Sequence, residues 1–331
     1  MSVVDTEVKP KRRDHRVRHE LVRVLKQREI LLLLFILIFS IAASIASPYF
    51  LKLENFKQVF IAIALDSVVV VGMTIVLVGG GIDLSVGSII GFCAALIGMS
   101  FQNGNATLPT VLFALLSGIL IGAVNGGLIA YVNINPLIMT LAMMGIARSG
   151  SYIISGGYAF SSIPDAFTGF AAGNVLGIPN LVVVALVCVV VFGFLLAKNV
   201  ILRNYYFIGG NEPAAYRAGI GVNRYKFMSY VICGIFSALA AILLVSRMGS
   251  TFPHSGLGTE IRVISACIIG GCSISGGKGT IFGSFLGVLL LGLISNILVL
   301  LGVSVYWQGI ASGTILVLAV ISDALLNRRK Y

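Results

Sequence analysis

The segment Gly79 to Ser88 sets one carboxylate, Asp83, two hydroxyls, Ser85 and Ser88, and four glycines between two long apolar runs. Three consecutive glycines, Gly79 to Gly81, weaken a helix, and a charged aspartate at bilayer depth is costly unless it is partnered or faces water. The residues alone leave two readings open. A polar turn would join two spans, with Asp83 capping the second. A broken helix with free backbone groups and a carboxylate would line a transport route, because irregular backbone persists in a membrane only where protein or water satisfies it.

Two further polar stretches interrupt the apolar runs. Gly209 to Ile220 spells a short helix with its punctuation. Asn211 caps, Glu212 sits at the positive end, Pro213 fits the first turn, Ala214, Ala215 and Ala218 propagate, Arg217 follows, and Gly219 stops it. A helix of two turns is marginal alone and calls for a partner surface or a resting place on lipid headgroups. Gly270 to Gly279 is a second glycine-rich break, with Lys278 among its glycines. A phosphate-loop reading fails there, since the Walker spacing and the flanking strand are both absent. Its likeness to residues 79–88 is too short to establish a repeat.

The chain that must position these breaks has 331 residues, 58% hydrophobic and 11% charged, a balance outside that of soluble domains. Apolar runs near 30–46, 58–78, 84–101, 108–132, 136–155, 178–197, 227–246, 257–275, 280–301 and 305–326 predict an all-α polytopic transmembrane helical bundle of about ten spans. Residues 257–275 form the weakest of these, and parity favours a crossing over a re-entrant segment. The division expected is a basic amphipathic leader at 1–29, a transmembrane domain at 30–326 with its longest polar loop at 198–226, and a basic tail at 327–331. Nine Lys or Arg fall within residues 1–29, and Arg328, Arg329 and Lys330 close the chain. Both termini are therefore expected in the cytoplasm, as is the loop carrying Lys198, Arg203, Arg217, Arg224 and Lys226. An excess of 23 Lys and Arg over 12 Asp and Glu, concentrated in these places, reads as membrane orientation and contact with the lipid bilayer, with no nucleic-acid partner. The cysteines Cys93, Cys188, Cys233, Cys267 and Cys272 lack metal spacing and read as free buried thiols.

Polar residues within the spans must face protein or water. Asp66 and Arg148 are expected to neutralise each other across two spans, and Asp323 to be structural. For Asn125 and Asn296 the case is open, interhelical hydrogen bonding being the commoner use of buried amides, and Gln308 too is expected to face protein or water. Tyr306 and Trp307 read as interface anchors.

From Gly80 to Ser88 the chain closely resembles the signature of ribose-type permease subunits of bacterial ABC importers. The resemblance covers about residues 50–322. It includes Pro136 through Arg148 with Thr140, Leu141 and Gly145, then Gly209 to Glu212 with Ala214, Ala215, Gly219 and Ile220. It continues through Gly258 to Glu260, Gly270, Gly271, Ser275 to Gly279, Gly283 and Leu300 to Ser304. Two places depart from the pattern: Ile201 to Asn204 before the capped helix, and Arg262. The resemblance implies a multi-pass bacterial inner-membrane permease that is not an enzyme and binds no cofactor, ATP being bound by a partner. That partner would be a cytoplasmic ATPase subunit, coupled through Gly209, Gly210, Asn211, Glu212, Ala215, Arg217 and Gly219. An extracytoplasmic solute-binding protein and a second permease copy or paralogue would complete the importer. Gating would fall to Gly80, Gly81, Asp83, Ser85, Gly87, Glu260, Gly276, Gly277 and Lys278. A sugar or similar small polar solute is the cargo implied, with nucleosides, a furanosyl signal molecule or branched-chain amino acids as alternatives. A secondary transporter driven by H⁺ or Na⁺ through Asp66 and Asp83 is the rival mechanism, and a non-transporting scaffold a third.

Overall fold

The structure, a computed structural model, describes residues 28–304 together with residues 307, 309, 310, 313, 314, 317 and 321. Most of the basic leader, Tyr306, Gln308, Asp323 and the tail with Arg328, Arg329 and Lys330 lie outside the described residues.

Seven of the described helices are long and apolar enough to cross a membrane. They are α1 (Arg28–Ala46), α2 (Leu53–Val78), α4 (Thr107–Tyr131), α5 (Pro136–Ser155), α7 (Asn180–Lys198), α10 (Val222–Met248) and α12 (Ile281–Leu300). Between them stand shorter helices: α3 (Val86–Gln102), α6 (Asp165–Ala172), α8 (Val200–Gly210), α9 (Glu212–Arg217) and α11 (Thr259–Ile269). A two-residue hairpin pairs β1 (Asn174–Val175) with β2 (Ile178–Pro179). The chain is a polytopic helical membrane protein.

Helix α2 is the centre of the bundle. Every residue from Ser67 to Val78 is buried, as befits a helix that is apolar all round and surrounded by others. It packs on α7, α10, α11 and α12. Against α10 lies α4, whose Gly118, Gly122 and Gly126 stand four residues apart and meet the backbone of Gly234, Tyr230 and Phe227. Small residues at that spacing let two membrane helices approach until dispersion contacts dominate.

Two helices are broken, and they mirror each other. Helix α2 runs to the end of the bundle where Val78 O accepts from Gly277 N at 2.9 Å and Thr280 Oγ1 bonds Glu29 at 3.0 Å. The chain then returns as non-helical backbone before α3 carries it to the far end. Helix α10 runs the other way, to the end where Phe160 pairs with Thr251 and Ser246 Oγ bonds Phe167 O at 2.6 Å. Residues 249–258 then turn back into the bundle before α11 completes the return. Exchanging α2, α3 and α4 for α10, α11 and α12 preserves the packing: α2 on α12 matches α10 on α4, α2 on α11 matches α10 on α3, and α11 on α12 matches α3 on α4. This is an inverted internal repeat of the kind that places solute routes at mid-depth.

The partner of the 79–85 break is therefore residues 249–258, whereas the Gly270–Gly279 stretch that resembles it in sequence lies directly against it. The expected span at 257–275 is a helix of eleven residues, about 16 Å long, preceded by a series of turns over residues 253–258. The expected loop at 198–226 contains α8, whose first turn is capped by Asn199 Oδ1 accepting from Ile201 N at 2.8 Å.

Candidate functional site

Asp83 occupies the break with no solvent exposure. Its Oδ1 accepts from Ser85 N at 2.9 Å and Ser85 Oγ at 2.5 Å, and Ser85 Oγ in turn accepts from Asn125 Nδ2 at 3.0 Å. The turn is thus tied to α4 through one hydroxyl. Asp83 Oδ2 and Asn125 Oδ1 take no hydrogen bond among the described residues. Tyr230 of α10 holds the preceding residue, its hydroxyl donating to Ile82 O at 3.2 Å.

Inside the bundle the two broken helices meet end to end. Gly87, in the first turn of α3, touches the carbonyl of Gly256 and the carboxylate of Glu260, in the first turn of α11. A side chain at position 87 would overlap both. Glu260 Oε1 accepts from Gly258 N at 3.2 Å, and its carboxylate lies at the positive end of α11. Arg148 of α5 clamps the junction. Its Nη1 donates to Pro253 O at 2.9 Å and Ser255 O at 2.8 Å, its Nη2 donates to Gly87 O at 3.2 Å, and Glu260 is within Coulombic reach.

This corrects the expected pair. Asp66 does not meet Arg148; it forms a two-pronged ion pair with Arg262, from Nε at 3.0 Å and Nη2 at 3.2 Å. Helix α11 approaches α2 closely, and its Arg262 is the cation that reaches Asp66. Arg148 lies beyond α3 and is spent on carbonyls. The amides behave as interhelical links: Asn55 and Asn296 exchange hydrogen bonds at 3.0 and 2.8 Å.

Three glycine segments converge at the α9 end. Gly209 of α8 lies on the Val78 carbonyl and the Gly277 amide, and Gly276 lies on Gly80 and Gly209. Gly80, Gly276 and Gly277 have φ of 83°, 84° and 72°, which other residues adopt at a cost. Gly81 abuts the Tyr230 hydroxyl. Lys278 carries the carbonyl that accepts from Ser273 N at 3.2 Å. Tyr206 donates to Gly279 O at 2.8 Å, and burial pushes its phenol up to about 12, so it keeps the proton it donates.

From this seam projects α9. Asn211 Oδ1 accepts from Ala214 N at 3.0 Å, and Glu212 pairs with Lys226 of α10 at 2.7 Å. Ala215 is buried against Ile208 and Val222, Arg217 closes the helix, and Gly219 turns the chain at φ 81°. The sequence-predicted residues thus form two groups. Gly80, Gly81, Gly276, Gly277 and Lys278 join the α8–α9 residues in one seam, while Gly87 and Glu260 meet inside the bundle; Asp83 and Ser85 lie on the chain between.

The family described as the branched-chain amino acid transport system / permease component matches residues 55–320. This chain belongs to that family. The permease is 39% identical over 308 residues to the L-arabinose transport system permease protein AraH of Escherichia coli (strain K12), covering 91% of each chain. It is 36% identical over 293 residues to the L-arabinose ABC transporter permease protein AraH of Azospirillum brasilense, covering 88% of this permease and 86% of that protein. It is 35% identical over 295 residues to the ribose import permease protein RbsC of Escherichia coli (strain K12), covering 88% and 92%. No solved structure matches it. Sequence reasoning missed the junction role of Arg148, the tie from Lys226 to Glu212 and the pairing of Arg262. Only the closeness of opposite charges in a capped helix and its neighbour offered any signal, and that for Lys226 alone.

Proposed function

We propose that this permease is the membrane-spanning subunit of an ATP-driven ABC importer that moves a monosaccharide inward. The observation that carries the reading is the glycine seam: the capped α9 is joined through Gly209 to the backbone of both glycine-rich breaks. A push on α9 is transmitted to residues 79–81 and 276–277 with little slack, which is what coupling to a separate ATPase requires. The names of the arabinose and ribose relatives support the cargo class. A pair of permeases, a solute-binding protein and an ATPase complete the importer in the bacterial inner membrane. Asp66 is held in an ion pair, which argues against a free carboxylate for ion coupling.

In this reading each break and its half-helix count as one crossing. With α1, α2, α4, α5, α7, α10 and α12, and with the apolar run at 305–326 counted from its sequence alone because most of it lies outside the described residues, the crossings number ten and both termini are expected in the cytoplasm. The cations Lys198, Arg203, Arg217, Arg224 and Lys226 then share the cytoplasmic side with α9.

The test uses the permease with its ATPase and binding protein in liposomes. ATP-dependent uptake of radiolabelled L-arabinose, D-ribose or another aldose is expected, and ATP-independent uptake driven by an ion gradient would overturn it. In a cysteine-free background, Tyr216→Cys is expected to label from the cytoplasm and Leu176→Cys from outside; the reverse would remove α9 from the reach of any ATPase.

Glu212 supplies a second check. Its pair with Lys226 is half exposed and contributes no more than about 1 kcal/mol, so Glu212→Lys is expected to leave the permease folded. It sets two cations together and weakens the first turn of α9. Retention of the ATPase on co-purification should fall about fivefold or more, and the exchange Glu212→Lys with Lys226→Glu should recover part of it. Equal retention by all three proteins would mean that α9 does not dock.

A further inference from the structure

The Asp66–Arg262 pair is not sealed in the bundle. Cavities of about 450 and 460 Å³ lie on its two sides, and Asp66, Arg262 and Ala62 are the residues that line both. Each lies within the roughly 300–1,000 Å³ of small-molecule sites. The side chain of Arg262 is 43% exposed, so the helices of this chain do not close over the fork.

The second cavity has a particular lining. One wall is the Asp66–Arg262 fork, with Thr259 Oγ1 accepting from Arg262 Nη2 at 3.0 Å. The other is the inward-turning segment before α11, which contributes Phe252, His254 and Ser255. The rings of Phe252 and His254 lie 5.5 Å apart at 36°, side by side at the cavity edge. Among the described residues the His254 imidazole makes no hydrogen bond. Arg262 directs Nε and Nη2 at its partners and keeps the two Nη1 protons, while each Asp66 oxygen retains a lone pair. A fixed fork of donors beside a fixed pair of acceptors suits a ligand with adjacent hydroxyls, each of which donates and accepts. Flat rings suit its C–H face.

We propose that this cavity is a monosaccharide subsite within the permease, recognised by Asp66, Arg262, Thr259, Ser255, His254 and Phe252. It rests on the sugar-importer reading above. The segment that lines it enters from the end opposite α9, so a sugar released there meets the subsite before the junction of α3 and α11. The permease then contributes to selectivity, in addition to whatever protein delivers the sugar.

The experiment measures uptake by the reconstituted complex across a panel of labelled pentoses and hexoses, beginning with L-arabinose and D-ribose. The variants are His254→Ala and Thr259→Val. His254→Ala and Thr259→Val remove one ligand contact each and leave the ion pair standing. Each is expected to raise KM for the preferred sugar about fivefold, the worth of roughly one hydrogen bond, and to change the ratio of kcat/KM between two sugars by a similar factor. A purely structural role would scale all sugars alike and leave that ratio fixed. Unchanged ratios in both single variants, with transport intact, overturn the subsite and spare the importer reading. Absence of any sugar uptake by the unaltered complex overturns both.

Discussion

Gly209→Val is expected to reduce ATP-driven uptake to background, although the substitution lies in α8, outside the long apolar helices. The position leaves no room for a β-carbon. One built there overlaps the Val78 carbonyl oxygen and lies 2.5 Å from the Gly277 amide nitrogen, so backbone blocks it on both sides. Neither neighbour has a rotamer to change. Gly277 N donates to the same Val78 carbonyl at 2.9 Å, so parting the strands also removes a hydrogen bond. Overpacking of this kind costs about 1–3 kcal/mol, and the relief available is to lift α8 off the seam. That motion severs the proposed link between α9 and the breaks. The measurement is uptake per reconstituted permease, with Gly127→Ala as comparison, since Gly127 has nothing within 4 Å of a β-carbon. Full uptake by Gly209→Val would mean that the seam carries no motion.

Arg148→Met is expected to be the most destabilising single change at the junction of α3 and α11. It removes the Arg148 donors from the carbonyls of Gly87, Pro253 and Ser255, so that Pro253 keeps only Ser151 Oγ at 2.9 Å and Ser255 keeps none among the described residues, and it leaves Glu260 without its nearby cation. A buried acceptor without a partner costs about 1–3 kcal/mol, less where water reaches it, and an uncompensated buried charge adds to the loss. The expected readout is a lower melting midpoint in detergent and loss of a single symmetric elution peak. Arg148→Lys should restore only part of the stability, because an ammonium lacks the planar fork that serves three carbonyls at once. Arg148→Met with unaltered melting would show that the junction stands without its clamp.

Hydropathy exposes the long helices because lipid imposes it: α5 occupies Pro136–Ser155, and α4, α7 and α12 begin and end within a few residues of their apolar runs. The short α9 is legible for a different reason. Asn211, Pro213 and Gly219 each satisfy a local backbone need, and local needs are written locally. The hidden features depend on what packs against what. Asp66 chooses Arg262 over Arg148 only once α11 lies on α2. The segment at 249–258 gives no sign in its own residues that it mirrors 79–85, since the symmetry lies in direction and packing. Helix α8 ends in two glycines that argue against a helix, and the first of them, Gly209, is there because the last turn must touch another backbone. The junction of Gly87 with Glu260 joins parts of the chain that no local pattern connects.

The end-to-end contact of the two half-helices has a consequence for how the protein is made. At eleven residues, α11 is too short to enter a bilayer as an independent stop-transfer segment. It must go in with α10, as a hairpin folded back on itself. The N-terminal half of the chain leaves the ribosome with the carbonyl of Gly87 already at bilayer depth, and the surface that covers it, at Gly256 and Glu260, is synthesised only after α4 to α10. The early half is therefore an unfinished insertion intermediate: Arg148 of α5 can already donate to the Gly87 carbonyl, but the face of α3 that Gly256 and Glu260 cover stays unpacked until the late half arrives. Ribosome pausing between α7 and α10 would prolong that interval, and quality-control proteases of the membrane would act within it.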